Sequence, residues 1–376
     1  MKIGVDIRLF AEGRRSGVEE YTEKILKHLL EIDSENSYVF FLNAFHAEAG
    51  KERIQKLCDR DNVDIKVLNI PNKILNSSFI FLKRPQIDKL LGGLDIFFSP
   101  NLMFGSFSSE VKRVLTIHDL SFEVYPEFFS KKQQWWHSVV NPKRQIEESS
   151  QIISVSEATK TDLIEIYDVP AEKISVIHSG VKKVQCTKDQ AVLDKYKIKG
   201  EYILFFATLE PRKNPLGIIS AYERFRTMIN DPVKMVFAGS KGWLDAKIRK
   251  AHEASEYHDD IIFTGPVSDS EKDVLYASSK MLLYPSLYEG FGFPPLEAMQ
   301  CGIPVITSSG SSIPEIVGKG ALLVDPYDIE GIAQAITELH LDNALREFLI
   351  KKSKRCVDRY SWENAARKTL KVLENV

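Results

Sequence analysis

Two glutamates, Glu289 and Glu297, stand eight positions apart in LYEGFGFPPLEAMQCGIP, which covers residues 287–304. A buried strand is predicted just before this stretch, so Glu289 is expected in a loop beyond the strand's carboxyl end, where open parallel sheets bind ligands. The two prolines suit the first turn of a helix, and Gly302 suits its end. Glu297 is therefore predicted in the first turn of a short helix. Carboxylates placed in this way can accept hydrogen bonds from the hydroxyls of a sugar.

The loop between the two glutamates alternates glycine and phenylalanine, as Gly290, Phe291, Gly292 and Phe293. Glycine allows a ligand to approach the backbone closely, and the N–H groups that begin a helix can bind an anion. The alternative is a capped helix with incidental glutamates, which gives no reason for the Gly-Phe-Gly-Phe order. We therefore predict that this loop binds a phosphate or a sugar through its backbone amides.

Two adjacent cations, Arg212 and Lys213, follow another predicted strand, YILFFATL at residues 202–209. An arginine fork beside the point charge of a lysine suits a diphosphate. The alternative is a solvated basic turn. Pro211 and Pro215 stiffen this loop, which favours a defined role.

Three other loops carry weaker signals. His118 follows the strand KRVLTI and could donate to a hydroxyl or phosphate oxygen, although a lone histidine more commonly binds backbone carbonyls. Gly13 and Gly17 bracket a loop that opens a helix, which could receive an anion or be a simple tight turn. Its spacing is not GxGxxG, so a nicotinamide-binding fingerprint is absent. Backbone groups near Val267 could face a nucleotide base, but the residue types do not show it.

Strand-like and helix-like segments alternate along the chain, which predicts an α/β protein with parallel sheets covered by helices. A polar, lysine-rich stretch near residue 185 separates two series of strands. We predict two doubly wound domains, residues 1–185 and 186–360. The predicted strands lie at residues 2–7, 38–42, 65–70, 95–100, 112–119, 151–156, 202–209, 233–240, 260–265, 280–286, 303–308 and 321–326.

The composition of the 376-residue chain is that of a globular protein with two domains. Lys plus Arg is 50 and Asp plus Glu is 52, a formal net charge of −2 that gives no reason to expect nucleic acid as a partner. No apolar run approaches the roughly 18 residues of a membrane-spanning helix, and MKIGVDIRLF is a poor signal peptide. The scattered cysteines suggest neither a zinc site nor a disulfide framework, so a reducing, cytoplasmic location is expected. They are Cys58, Cys186, Cys301 and Cys356.

The chain resembles the retaining glycosyltransferases of family 4, whose two Rossmann-like domains face an interdomain cleft in the fold called GT-B. The Glu-x7-Glu motif of that family appears as Glu289 to Glu297 within YEGFGFPPLEAMQCGIPVI. The likeness covers nearly the whole chain, through TIHDLSFEVYPEFF, IISVSEATKTDL, TLEPRKNP, SGSSIPEIVGKGALLVDP and YSWENAARKTLKVL.

The resemblance implies that a sugar nucleotide binds mainly to the C-terminal half. Glu297 would bind ribose hydroxyls, and Glu289 would contact hydroxyls of the donated sugar. Backbone amides at 291–293 would help to hold the sugar and diphosphate, while Arg212 and Lys213 would neutralise the diphosphate leaving group.

The resemblance also implies roles for the N-terminal half and contains one departure. His118 would approach the sugar, and the Gly17 loop would lie near the diphosphate and acceptor. The last helix, at 361–376, would return to the first domain, which is then residues 1–185 plus 361–376. Many relatives carry Gly-Arg where this chain reads Ala207-Thr208. We assume that Arg212 compensates, which leaves open which cation contacts which phosphate.

Cleavage of a glycosyl–phosphate bond puts negative charge on the leaving diphosphate, which cations and helix N-termini can stabilise without a metal. A metal-dependent enzyme would want Asp-x-Asp at a strand end, and the triplet at residues 59–61 lies instead in a polar stretch before a strand. We predict metal-independent transfer with retention by front-face displacement, in which the leaving phosphate helps to deprotonate the acceptor. Two carboxylates flanking a scissile bond, as in glycosidases, are the disfavoured interpretation of Glu289 and Glu297.

GDP-mannose is the first donor predicted, because TLEPRKN and TIHDLSF most resemble the mannosyl- or rhamnosyl-transferring branch of surface-polysaccharide (lipopolysaccharide) assembly. The expected acceptor is a glycan or a polyprenyl-linked glycan. Alternatives are a sugar-nucleotide epimerase, a sugar phosphorylase of similar architecture, or an inactive nucleotide-sugar-binding subunit.

Two basic-aromatic patches in the N-terminal half suit peripheral contact with a membrane. They are residues 73–91 and 130–144, the second with adjacent Trp135 and Trp136. A core helix with a basic solvent-facing side is an equally good interpretation.

Overall fold

The computed structural model describes residues 1–12, 16–43, 54, 57, 59–229, 231–242 and 245–376. The chain divides into two compact units. Unit 1 contains residues 1–120, 131–180 and 361–376, and unit 2 contains residues 121–130 and 181–360. Gly13 and Cys58 lie outside the described residues.

Unit 1 is built on a seven-stranded parallel sheet with the strand order β3-β2-β1-β4-β5-β6-β7. The central strands are fully buried runs of apolar, mostly β-branched and aromatic residues, as expected for a sheet covered on both faces. The strands are β1 (Lys2–Asp6), β2 (Ser37–Asn43), β3 (Val63–Leu68), β4 (Ile96–Ser99), β5 (Lys112–Ile117), β6 (Gln151–Ser154) and β7 (Ile174–Val176).

The helices of unit 1 include the last helix of the chain, which packs against the first. Trp362 lies edge-on to Tyr21 with ring centroids 5.9 Å apart. A Cβ on Gly180 would lie 2.2 Å from the Trp362 backbone nitrogen, so this close approach requires glycine. The helices are α1 (Gly17–Ile32), α2 (Asn72–Ser77), α3 (Ile87–Leu90), α5 (Lys131–Val140), α6 (Pro142–Glu148), α7 (Glu157–Tyr167) and α16 (Trp362–Asn375), with α4 (Ser121–Val124) assigned to unit 2.

Unit 2 is built on a six-stranded parallel sheet with the order β10-β9-β8-β11-β12-β13. Its strands are β8 (Tyr202–Phe206), β9 (Lys234–Ala238), β10 (Ile261–Gly265), β11 (Met281–Tyr284), β12 (Val305–Ser308) and β13 (Leu322–Val324). Its other helices are α8 (Gln190–Lys195), α9 (Pro215–Met228), α10 (Asp245–Ala254), α11 (Asp269–Ser278), α12 (Phe293–Gln300), α13 (Ile313–Val317), α14 (Ile329–Leu341) and α15 (Asn343–Val357).

The predicted fold class is confirmed, because each unit is a parallel sheet with helices in most of the described connections between its strands. The predicted boundary differs in two places. The division after residue 180 precedes the predicted one, since the Val184 and Gln185 amides bind Gln300 and Asp273 of unit 2. Residues 121–130 were predicted in the N-terminal domain, but they cluster with unit 2.

The expectation of unpaired cysteines was wrong for one pair. A disulfide joins Cys186 to Cys301, whose Cα atoms are 5.2 Å apart. The sequence did not reveal this pair, because the two cysteines are 115 positions apart. They become neighbours only when the 181–187 segment packs beside the end of α12. Cys356 is free and buried.

Candidate functional site

Arg212 and Lys213 lie on a single 3₁₀ turn, Pro211–Lys213, beyond the carboxyl end of β8. Asn214 fixes the end of this turn from a left-handed conformation, with φ of 59°. Its side-chain oxygen caps α9 at Gly217 N, at 3.2 Å, and its amide nitrogen donates to Pro326 O at 2.7 Å. The two cations are therefore held in place by bonds to neighbouring loops.

Glu289 lies beyond the end of β11, where the sequence predicts it, and only 6% of it is exposed. Lys213 Nζ is 2.5 Å from its Oε1, and Arg212 Nη1 is 3.1 Å from its Oε2. The Tyr284 hydroxyl donates to Oε1 at 2.8 Å and accepts from Lys213 at 3.0 Å. Arg212 also pairs with Glu210 at 2.9 Å. The structure thus brings together three of the four residues predicted to be catalytic.

The charge state of Glu289 follows from these contacts. Burial alone would raise the pKa of this carboxyl, but attraction by Lys213 and Arg212 outweighs burial and lowers the pKa to about 2. Burial beside the Glu289 carboxylate raises the pKa of the Tyr284 phenol well above its usual value. Glu289 is therefore a permanent carboxylate at neutral pH, and Tyr284 is a neutral donor.

Glu297 is held by a separate group. It lies on α12 with 5% exposure. The predicted prolines do lie in the first turn of α12, but Glu297 lies beyond that turn, so its predicted first-turn position was wrong, because the helix begins at Phe293. Lys272 Nζ is 2.6 Å from its Oε1, and the Tyr276 hydroxyl donates to its Oε2 at 3.0 Å. The sequence interpretation missed Lys272, Tyr276 and Tyr284. Lys272 and Tyr276 did carry a signal, since residues four apart on a helix share one face.

The predicted glycine-marked loop joins the two groups. Gly292 has φ of 95°, a conformation that favours glycine, and a Cβ there would also displace the end of the Ile313 side chain, whose Cδ1 would be 2.5 Å away. Phe291 is buried, edge-on to Tyr360 with ring centroids 5.5 Å apart and tilted against Phe293 at 5.1 Å. The phenylalanine rings therefore anchor the loop. Gly290 and Gly292 have no side chain that would keep a ligand away from the loop backbone.

Two serines from the loop after β12 clamp the backbone of Glu289. The Ser311 hydroxyl accepts from Glu289 N at 3.0 Å and also binds the Glu289 carbonyl. The Ser312 hydroxyl donates to the same carbonyl at 2.9 Å. These serines lie in SGSSIPEI, so the family motif contains positioning residues that residue type alone did not reveal.

The remaining predicted residues lie elsewhere. His118 and Gly17 belong to unit 1, and Gly17 is the first residue of α1. His118 Nε2 is 2.9 Å from the Pro100 carbonyl, and burial lowers the pKa of the ring. This carbonyl contact is the one that a structural histidine makes. Val267 is half-buried between β10 and α11, and its contact with a base remains a prediction.

The acidic groups of this site offer a cation poor ligands, because Glu289 and Glu297 are both paired with protein cations. Among the described residues, one cluster of His, Asp and Glu side chains has the spacing of a metal site, namely Glu201, Asp231 and His340. It lies next to the amino-terminal ends of β8 and β9, away from Glu289.

Comparisons with known proteins identify the family of the chain. A sequence profile described as "Glycosyl transferases group 1" matches residues 189–356, and one described as "Glycosyltransferase Family 4" matches residues 15–183. The O-antigen chain mannosyltransferase B of Escherichia coli is 30% identical over 69% of this chain and 69% of its own length. The serotype-specific mannosyltransferase WbdA of E. coli is 30% identical over 68% of this chain, which spans only 32% of that longer protein.

A solved structure shows the same fold over the whole chain. Anabaena Alr3699/HepE, crystallised with UDP and glucose, superposes with a TM-score of 0.74, 17% identity and complete coverage of both chains. The likeness at this identity concerns the fold. Taken with the relative at 30% identity, it establishes that the chain is a glycosyltransferase of family 4.

Proposed function

We propose that this enzyme transfers mannose, with retention, from GDP-mannose to a glycan or lipid-linked glycan acceptor of a surface polysaccharide. The observation that carries the proposal is the buried cluster of Glu289, Lys213 and Arg212 at the carboxyl edge of the unit 2 sheet. The names of the E. coli relatives support mannose and an O-antigen product. The epimerase, phosphorylase and inactive-subunit alternatives are not favoured, because the chain belongs to a transferase family.

The cations would act on the leaving group. Lys213 has three N–H donors, and its described contacts use two of them, to Tyr284 and Glu289. The third can turn to a phosphate oxygen, and the adjacent Arg212 guanidinium adds a second positive charge beside it. Negative charge that develops on the diphosphate would meet donors already held in place, which is usually the largest contribution to catalysis. These protein cations can provide that neutralisation without a metal.

Glu289 is suited to binding rather than to acid–base or covalent chemistry. With its pKa held at about 2, it carries no proton to donate to a leaving group at neutral pH. Both of its oxygens are engaged by cations or by Tyr284, which makes it a weak nucleophile. We assign it to hydroxyls of the donated sugar. The leaving phosphate, on the front face, would then take the acceptor proton.

Glu297 would bind the ribose of the donor. Lys272 and Tyr276 fix one carboxylate oxygen each, and the remaining lone pairs can accept from a pair of vicinal hydroxyls. Amides of the loop at 290–293 would reach the diphosphate between ribose and sugar. His118 and the Gly17 loop keep their predicted roles near the sugar and acceptor as proposals.

The donor is tested by thermal unfolding with GDP-mannose, UDP-glucose and GDP. A ligand at 100 times its dissociation constant adds about 2.7 kcal/mol to stability, which gives a clear shift. GDP-mannose is expected to shift wild type and Arg224→Gln, which removes an exposed ion pair to Glu330, but to shift Arg212→Gln much less. A shift by UDP-glucose alone would contradict the donor assignment.

The stereochemistry is tested by NMR of the mannosylated product. An α-linked product from the α-linked donor is expected. A β-linked product, or a trapped glycosyl-enzyme, would contradict the front-face mechanism.

We also propose that unit 1 contacts an anionic membrane that carries the acceptor. No helix among the described residues is long and apolar enough to span a bilayer. Three apolar side chains near α2 are highly exposed: Ile74 (62%), Phe81 (80%) and Leu82 (71%). Lys83 and Arg84 follow directly, and basic side chains beside exposed aromatic ones suit a bilayer interface.

The prediction for the tryptophan pair needs correction at one residue. Trp135 is 67% exposed, but Trp136 packs against the buried cluster of unit 1 that contains Phe104 and Val140. Its ring lies edge-on to Phe104, with centroids 5.8 Å apart. Trp135 is therefore the more exposed of the two, and Trp136 is partly buried. Both α2 and α5 contribute to this same cluster, so the two predicted patches lie on one side of unit 1.

Flotation with anionic vesicles tests this contact. Phe81→Ser/Leu82→Ser and Trp135→Ser are expected to reduce binding, whereas Phe348→Ser, an exposed residue of α15, serves as the matched control. Equal flotation of all variants, or none of wild type, would rule out the contact.

A further inference from the structure

A group of exposed aromatic side chains lies beside the site in unit 2. Tyr125 and Phe128 come from the 121–130 segment, and their rings stack almost in parallel, with centroids 4.9 Å apart at 10°. Both are half-buried, and Tyr327, from the loop after β13, is 64% exposed. Burial and the neighbouring Tyr125 phenol raise the pKa of Tyr327 to about 12. We call Tyr125, Phe128 and Tyr327 the aromatic platform.

Two connections tie this platform to the donor-binding residues. The ring of Tyr125 meets that of Tyr288 at 5.9 Å and 64°, and Tyr288 directly precedes Glu289. The Tyr288 carbonyl accepts from Arg212 at 3.0 Å. The platform is thus continuous with the group around Glu289.

The second connection runs through the loop that carries Tyr327. Asn214, next to Lys213, donates to Pro326 O at 2.7 Å, and Asp325 accepts from Tyr327 N at 2.9 Å. This loop leaves the carboxyl end of β13 at the same sheet edge as Glu289, so both are held by the same set of strands.

The chemistry of the platform fits a neutral sugar. The apolar C–H face of a pyranose packs well on an aromatic ring, and exposed apolar patches beside polar groups are a common feature of ligand-binding grooves. The phenol hydroxyls and the carboxylates of Glu127 and Asp325 can bind the ring hydroxyls. Glu127 lies close enough to Tyr327 to act on it electrostatically. These acidic groups disfavour an anionic membrane or a phosphate at this position.

We propose that the aromatic platform is a subsite for a neutral pyranose of the acceptor glycan, which it holds next to the donated sugar. This inference rests on the proposed transfer to a glycan. It also gives a reason why the 121–130 segment, which precedes α5 of unit 1 in the sequence, packs with unit 2.

Saturation-transfer NMR with methyl α-mannopyranoside and α-mannobiose tests the subsite, in the presence of GDP to fill the nucleotide site. Wild type is expected to transfer saturation to the C–H protons of one pyranose face. Tyr327→Ala is expected to weaken saccharide binding roughly three- to tenfold, which corresponds to the loss of one good aromatic contact. Tyr125→Leu, which keeps apolar volume at that position of the platform but removes its aromatic ring, is expected to give a similar loss.

Phe348→Ala, which removes an aromatic side chain that is 52% exposed on α15, is the matched control and should bind like wild type. No saccharide signal in wild type, or equal signals in all variants, would overturn the subsite. GDP-mannose binding is measured on the same proteins. If the donor binds all variants equally, a negative saccharide result counts against the platform alone. If the donor binds none of them, the donor proposal fails independently.

Discussion

Glu289 and Glu297 are buried to nearly the same extent, with 6% and 5% exposure, but their surroundings differ. Glu289 contacts two cations and a tyrosine, while the described contacts of Glu297 are one lysine and one tyrosine. A buried carboxylate needs one paired cation to be tolerated. Arg212 is shared between Glu289 and Glu210, so a diphosphate bound here would meet two cations that carboxylates already hold in place. The one-to-one pairing at Glu297 suits a neutral partner such as a ribose diol.

The largest expected effect comes from removing the lysine at each glutamate. Lys213→Ala is expected to lower kcat for GDP release from GDP-mannose by about 10²- to 10³-fold, because it removes a preorganised donor to the leaving group. Lys272→Ala is expected to raise KM for the donor with little change in kcat. Urea unfolding of both variants checks that they are folded. Equal losses of kcat in Lys213→Ala and Lys272→Ala would contradict separate roles for Glu289 and Glu297.

A second effect concerns acid stability. The pKa of Glu289 lies below its unfolded value, so its contribution to stability is fully present above about pH 4.5 and is lost as pH falls toward about 2. Wild type is therefore expected to lose more stability over this range than Glu289→Gln does. The free energy of unfolding in urea at several pH values measures the difference. Parallel curves for the two proteins would show that the Lys213 and Arg212 pairs do not stabilise the charged form.

The smallest effect compares the two tyrosines. Tyr284→Phe and Tyr276→Phe each remove one hydroxyl from a buried carboxylate and are expected to cost about 1.5–3 kcal/mol of stability, as for other hydrogen bonds to charged groups. Tyr284→Phe should also lower kcat, because Tyr284 contacts both Lys213 and Glu289. An effect of Tyr276→Phe on kcat as large as that of Tyr284→Phe would count against separate roles.

The sequence predicted those parts of the site that depend on local order along the chain. Glu289 and Arg212 follow buried strands, and parallel strands bring such positions to one edge of a sheet. The start of α12 was also correct, because proline fixes the first turn of a helix.

The contacts that were missed depend on distant parts of the chain. Lys272 meets Glu297 only because α11 and α12 pack against each other, and Trp136 packs into a core that α2 and α3 complete. The 121–130 segment follows β5 of unit 1 but packs with unit 2 through contacts such as Tyr125 with Tyr288. Residue type and spacing along the chain do not show which distant segments pack together. Only the packed structure shows that Trp136 packs partly into the core while Trp135 stays exposed.

The division of the donor between the two glutamates is tested most directly by calorimetric titration of GDP and GDP-mannose into Glu289→Gln and Glu297→Gln. Glu297→Gln is expected to weaken both ligands equally, by roughly tenfold for one lost charged hydrogen bond. Glu289→Gln is expected to weaken GDP-mannose but to leave GDP as tight as in wild type or tighter, because Lys213 and Arg212 are freed for the diphosphate. Equal loss of GDP affinity in both variants would contradict the account.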